Sequence, residues 1–194
     1  MTSEAISRVA VYCGSNTGND PAYLAGAAAL GTHLAERNIG LVFGGTHKGL
    51  MGAVADATLA AGGTAHGVIT ERLRDKGHLH AGLTGIEILP TMRARKARMI
   101  DMANAFIALP GGIGTLEELM EAWTLNQLGE IKKPVGVLDT SGFYQPFLAM
   151  IEHMIGQGFL PASHRKALVV TPEPAALIDG LLAYAPVTEP KWMS

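Results

Sequence analysis

Short apolar runs recur along the chain, each followed by a longer stretch with helical spacing. The runs are 8–12 (RVAVY), 39–43 (IGLVF), 64–69 (TAHGVI), 86–89 (IEIL), 105–109 (AFIAL), 134–138 (PVGVL) and 167–170 (ALVV). Between most of them lie helix formers over 21–37, 49–61, 92–104, 115–128, 143–155 and 173–184. Strand and helix in alternation predict βαβ units, and therefore an α/β fold built on a doubly wound, mostly parallel sheet with helices on both faces. Most of the runs are continuously apolar rather than alternating, as strands buried on two sides must be. No Pro/Ser tract, repeat or low-complexity segment divides the chain, so 1–194 reads as a single domain with a loosely held tail over 186–194.

Glycine clusters punctuate this pattern at the strand-to-helix turns. CGSNTG follows the first run, GGTHKGLMG the second and PGGIGT the fifth. In a sheet of this kind ligands bind outside the carboxyl ends of the strands, so these turns share one rim. Exposed backbone amides and positive helix ends there suit a phosphate. No turn carries the Gly-Lys-Ser/Thr of a P-loop, and the first two lack a full G-x-G-x-x-G. A mononucleotide phosphate site is the better reading.

Composition narrows the rest. The chain is 48% hydrophobic and 16% charged, which excludes a disordered protein. A formal net charge of −2 gives no reason to expect nucleic acid or an anionic membrane as partner. Cys13 is the only cysteine, which fits a reducing, cytoplasmic setting. The opening MTSEAISR lacks the pattern of a signal peptide, and no apolar run is long enough to span a bilayer.

Two stretches bear chemistry. In PGGIGTLEE, Thr115 and Glu118 have capping-box spacing, so the bland reading makes Glu118 a helix-start residue. The helical stripe Leu116, Leu119, Met120 and Trp123 leaves Glu117, Glu118 and Glu121 off the core. Set beside a phosphate cradle, however, the Glu118 carboxylate can stabilise an oxocarbenium-like sugar or activate water. Glu121 reads as solvated or supporting. In TMRARKARM, residues 91–99, Arg95 and Arg98 share a helix face, with Lys96 turned about 100° away. These form either a solvated basic face or a guanidinium that braces an anion. His78 and His80 lack a third metal ligand and read as loop surface, so no metal is expected. Cys13 reads as small apolar packing, and the GSNTG serine lacks a nucleophile elbow.

PGGIGTLEE, preceded by TMRARK and GGTHKGLMGAVADA, resembles the "Lonely guy" (LOG) family, the cytokinin riboside 5′-monophosphate phosphoribohydrolases once labelled lysine decarboxylases. The likeness runs from VYCGSNTG to about Leu138, and more loosely beyond. It implies a Rossmann-like homodimer with its sites near the subunit interface, and no cofactor. It also implies cleavage of the N-glycosidic bond of an N6-modified adenosine monophosphate to free base and ribose 5-phosphate. Arg95 and Glu118 match the family's catalytic pair. Lys96, Gly112, Ile113, Gly114, Thr115, Leu116, Glu117 and Thr124 fall on substrate-contacting positions. The glycine loops add Gly111, with Gly14 and Ser15 from the first turn and Gly44, Gly45, Gly49 and Met51 from the second. Three positions depart from the family pattern. Thr46 replaces a third glycine, where it narrows the cradle or adds a hydroxyl. Ala94 replaces an acidic neighbour of the arginine. At 77–80 the family's E-V-A-H reads GHLH, so Gly77 stands where a substrate-contacting glutamate is expected, which alters the base-recognition side. The alternative is a non-catalytic carrier, since molybdenum cofactor carrier proteins resemble the same fold and glycine loops.

Overall fold

The computed structural model describes residues 6–187. The elements follow in the order β1 (Arg8–Tyr12), α1 (Pro21–Glu36), β2 (Gly40–Phe43), α2 (Gly49–Ala60), β3 (Ala65–Thr70), α3 (Glu71–Asp75), β4 (Gly85–Leu89) and α4 (Met92–Met102). Then come β5 (Ala105–Ala108), α5 (Ile113–Gln127), β6 (Val135–Leu138), α6 (Gln145–Gly156), α7 (Ala162–Lys166), β7 (Leu168–Thr171) and α8 (Pro174–Leu182). All seven strands are parallel, in the order β4-β3-β2-β1-β5-β6-β7. Every predicted strand and long helix is present. The short α3 and α7, five residues each, and a 3-10 turn at Thr140–Gly142 have too few residues to show a period. Most of the tail expected to be loosely held lies outside the described residues.

Side chains of one strand alternate between two cores, because successive Cβ atoms point to opposite faces. From β1, Val9 and Val11 enter the core under α1, α2 and α8, while Ala10 and Tyr12 enter the core under α4, α5 and α6. Four strands (β1, β2, β5 and β6) are buried at nearly every position, so their runs carry no polar alternation. The edge strand β4 differs: Ile86 and Ile88 on one of its faces stay exposed.

The strand order reverses between β1 and β5. Chains leaving these two strands depart to opposite faces of the sheet, so a crevice must open between them. Gly14 stitches that crevice together. Its N–H donates to the Pro110 carbonyl after β5 (3.0 Å), and its carbonyl accepts the N–H of Leu50 at the start of α2 (3.0 Å). Three glycine turns are thereby held to one another by backbone alone.

Helix α5 begins two residues earlier than its pattern predicts. Gly112 is the N-cap, extended at φ −91° and ψ −157°, and no side chain caps the helix. The capping box therefore does not form: Thr115 lies inside the first turn, packed beneath Gly111, and Glu118 meets Arg95 of α4 instead. Glycine at the cap and a bare first turn leave the leading amides of α5 without side-chain partners, open to an external anion.

Candidate active site

A cavity of about 430 Å³ fills the crevice, within the usual range for small-molecule sites. Its floor is the end of β1 and the turn after β5. Arg95 and Glu118 face each other on its wall, and both are buried. They arrive from different helices, 23 residues apart, yet Arg95 Nη1 lies 3.3 Å from Glu118 Oε1.

Arg95 is held along its length. Its Nε donates to the Val68 carbonyl on β3 (2.8 Å), and Nη1 also points at the Met92 sulfur (3.1 Å). The guanidinium approaches Gly44 with Nη2 leading, and any Cβ there would collide with that nitrogen. Gly44 is thus where it is because an arginine crosses the end of β2. Arg98, expected on the same helix face, parts from Arg95. It is exposed and binds Glu87 of β4 through Nε at 2.7 Å and Nη2 at 2.8 Å. The basic stretch is therefore split between a buried, anchored arginine and a surface ion pair.

Glu118 is the one carboxylate of the leading α5 turns that is buried, contrary to the expectation that it faces away from the core. Burial pushes its carboxyl above the ordinary range, Arg95 pulls it back, and the neighbouring Glu117 pushes it up again; the net shift is upward. A 3.3 Å separation is long for a charge-assisted hydrogen bond, so the pair is loose and the carboxylate has room for another partner. Behind it Tyr12 is buried, and burial together with the Glu118 charge holds its hydroxyl well above the usual value. Cys13 also borders the cavity, and burial keeps its thiol protonated, in keeping with a packing role.

Lys96 is engaged with carboxylates rather than free. Its ammonium pairs with Glu117 and lies 3.0 Å from Glu121. Desolvation lowers its pKa, but the two carboxylates outweigh that and the net shift is upward. Among the described residues it is the only lysine on the cavity wall. A Schiff-base lysine must lose its proton readily, so this residue does not fit that chemistry.

The other expected residues divide clearly. Gly14, Ser15, Met51, Gly111, Gly112, Gly114, Thr115 and Glu117 border the cavity with Arg95, Lys96 and Glu118. Gly44, Gly45, Gly49, Ile113, Leu116 and Thr124 do not line it. Gly45 and Gly49 have φ of +74° and +56°, and a side chain at Gly49 would strike the Asn16 amide, 2.6 Å away. These glycines bring loops together. Ile113 points into solvent, 88% exposed, and Leu116 packs on the core. Thr46 is buried, and its hydroxyl accepts the Lys48 N–H at 3.3 Å, so it adds nothing to the cavity wall.

The 77–80 segment also lies off the wall. Gly77, at φ +74°, ends α3: its N–H donates to Arg74 and that of His78 to Leu73, the paired bonds of a Schellman cap. His80 is not loop surface, as its sequence suggested, but buried. Its Nε2 meets Asp56 at 3.0 Å, Nδ1 accepts the Gly82 N–H at 3.1 Å, and its ring stands edge-on to Phe43. Tyr23, Met92 and Phe143 line the cavity without having been expected there. They are single apolar residues from three separate elements, and no local pattern marks them.

An all-parallel sheet with a glycine-walled crevice at its reversal point defines a Rossmann-like α/β protein. Solved structures agree on the fold. The molybdenum cofactor binding protein of Rippkaea orientalis aligns over 90% of this chain and 94% of its own, with TM-score 0.68 and 20% identity. The Moco carrier protein of Chlamydomonas reinhardtii aligns over 92% and 99%, with TM-score 0.69 and 21% identity.

Sequence comparison goes further. A family model described as "Possible lysine decarboxylase" matches residues 51–181. The chain is 42% identical over 182 residues to the cytokinin riboside 5′-monophosphate phosphoribohydrolase LOG of Oryza sativa subsp. japonica, covering 94% of this chain and 75% of the rice protein. It is 40% identical over 185 residues to the phosphoribohydrolase LOG7 of Arabidopsis thaliana, covering 95% and 85%. The chain belongs to this LOG family.

Proposed function

We propose that this protein hydrolyses the N-glycosidic bond of adenosine 5′-monophosphate or its N6-modified forms, giving free base and ribose 5-phosphate. The observation that carries the reading is the buried Arg95–Glu118 pair opening into the same cavity as the bare first turn of α5. The names of the curated relatives supply the substrate class.

The 5′-phosphate sits on the free amides of the Gly112–Thr115 turn, where the helix end favours negative charge. That places the ribose against Glu118. As the bond from C1′ to the base nitrogen breaks, positive charge grows on C1′, and the ionised Glu118 stabilises it. Water supplies hydroxide to C1′ and a proton to the departing base. Arg95 keeps Glu118 ionised and holds it in place; Lys96 restrains Glu117 beside the phosphate. We further propose that the chain acts as one domain, and as a cytoplasmic homodimer whose contact covers the exposed Ile113.

The test is base release from AMP and N6-isopentenyl AMP, followed by chromatography. Glu118→Gln lowers kcat by about 100-fold or more, with the melting transition intact. Equal release by wild type and variant would end the assignment, and tight nucleotide binding without turnover would favour a carrier.

A further inference from the structure

The cavity does not stop at the phosphate turn. Its wall continues past Thr17 and Gly18 to Tyr23, in the first turn of α1, and to Phe143, which follows the turn after β6. The two rings meet edge to face, with centroids 5.7 Å apart and planes at 80°. Tyr23 lies directly on Gly18, at φ +73°, where a Cβ would stand 2.6 Å from the ring. Phe143 packs edge-on to Tyr144 at 5.0 Å, and Tyr144 Oη donates to the Leu109 carbonyl at 2.6 Å. The aromatic pair is thereby fixed to the end of β5, close to the glycine turn.

Its place relative to the reacting groups follows from the sheet. Arg95 is anchored at the ends of β3 and β2, whereas Phe143 follows β6, with β1 and β5 between. Strands are spaced about 4.8 Å apart, so β2 and β6 are separated by roughly 14 Å. A base is bonded to C1′ and therefore lies with Glu118 on the Arg95 side. The phosphate occupies the middle, and the aromatic pair lies beyond it. Both cations of the wall, Arg95 and Lys96, stand on α4 at the opposite end, already paired with carboxylates. Beside the two rings the described wall offers only the neutral Asn16, Thr17 and Gly18, with no cation to hold a chain of further phosphates, which suits a planar ring instead.

We propose that Tyr23 and Phe143 form a second-ring subsite, so that the protein accepts nucleotides whose 5′-phosphate is linked onward to another planar group, the class of pyrophosphate-linked dinucleotides. This rests on the phosphoribohydrolase reading above. Chemistry at the first nucleotide is unchanged: the C1′–N bond breaks, water supplies hydroxide to C1′ and a proton to the base, and the pyrophosphate stays intact. The second ring contributes binding only.

The probes are AMP, ATP and diadenosine 5′,5′-diphosphate, with base release and calorimetric affinity both measured. The dinucleotide binds about fivefold or more tighter than AMP and loses one adenine, while ATP gains no such affinity. Phe143→Ala, with Phe143→Leu as the milder variant and melting as the check on folding, lowers dinucleotide kcat/KM by about tenfold. AMP turnover falls by a clearly smaller factor than dinucleotide turnover. If AMP is cleaved but the dinucleotide neither binds nor loses base, the subsite is refuted and the parent reading stands. An equal loss of AMP turnover in Phe143→Ala would put the first base in the aromatic end and refute the subsite too. If AMP is inert, the parent reading falls, and dinucleotide affinity no better than that of AMP then refutes the subsite independently.

Discussion

Gly44→Ala perturbs the site without touching a reacting group. The added methyl would stand 3.4 Å from Arg95 Cζ and 3.0 Å from the Met51 sulfur, and closer still to Arg95 Nη2. Comfortable contact needs about 3.5 Å, so the guanidinium must withdraw by roughly 1 Å. It cannot simply swing aside, because Nε is tied to Val68 and the side chain is buried. The Nη1–Glu118 separation of 3.3 Å therefore lengthens beyond hydrogen-bond range. Displacements of this size in a positioned group cost on the order of 100-fold in rate. Overpacking of this kind costs stability about 1–3 kcal/mol, leaving a folded protein. The expected result is a fall in kcat/KM for base release of about 10- to 100-fold, with a cooperative melt a few degrees lower. Gly156→Ala serves as the control, since nothing lies within 4 Å of a Cβ there. Turnover by Gly44→Ala within twofold of wild type would show that the position of Arg95 does not govern the reaction.

Other expectations concern charge and backbone. Because the Glu118 carboxyl is raised, the acid limb of kcat/KM has its midpoint above about pH 4.3, the ordinary glutamate value, with activity rising as the group ionises. Arg95→Met removes the cation that lowers it, so a pH–rate series on that variant shows the midpoint moving further up. Lys96→Met leaves Glu117 and Glu121 unneutralised beside the bound anion; steady-state assays should show KM rising about threefold with kcat less affected. Gly77→Glu, which restores the residue type expected from the family pattern, forces a side chain onto a φ of +74° outside the cavity. Calorimetry should record a loss of about 1 kcal/mol, with base release unchanged.

Much of this molecule was legible before any coordinates. The βαβ rhythm, the continuously buried strands and the glycine turns on one rim are local or periodic signals, written in neighbouring residues. The pairing of Arg95 with Glu118 was implied by the family resemblance, not by spacing. Local spacing alone misleads at Glu118: the side chain it places off the core is buried, and the capping box that it allows as the bland alternative does not form. A T-x-x-E motif carries no information about an arginine arriving from another helix 23 residues earlier.

The sequence by itself determined the sheet, the rim on which the glycine turns gather and a helix start with no capping side chain at Gly112, because backbone periodicity and glycine placement are short-range matters. Tertiary structure alone decided which glycines face the cavity and which hold loops or an arginine against one another. Gly44, Gly45 and Gly49 look like cradle residues in the sequence and are packing residues in the fold. It also assembled the Tyr23–Phe143 end from α1 and the turn after β6. The physical reason is common to both: a residue's neighbours in a parallel sheet come from strands and helices distant in the chain, and only their packing sets what each side chain meets.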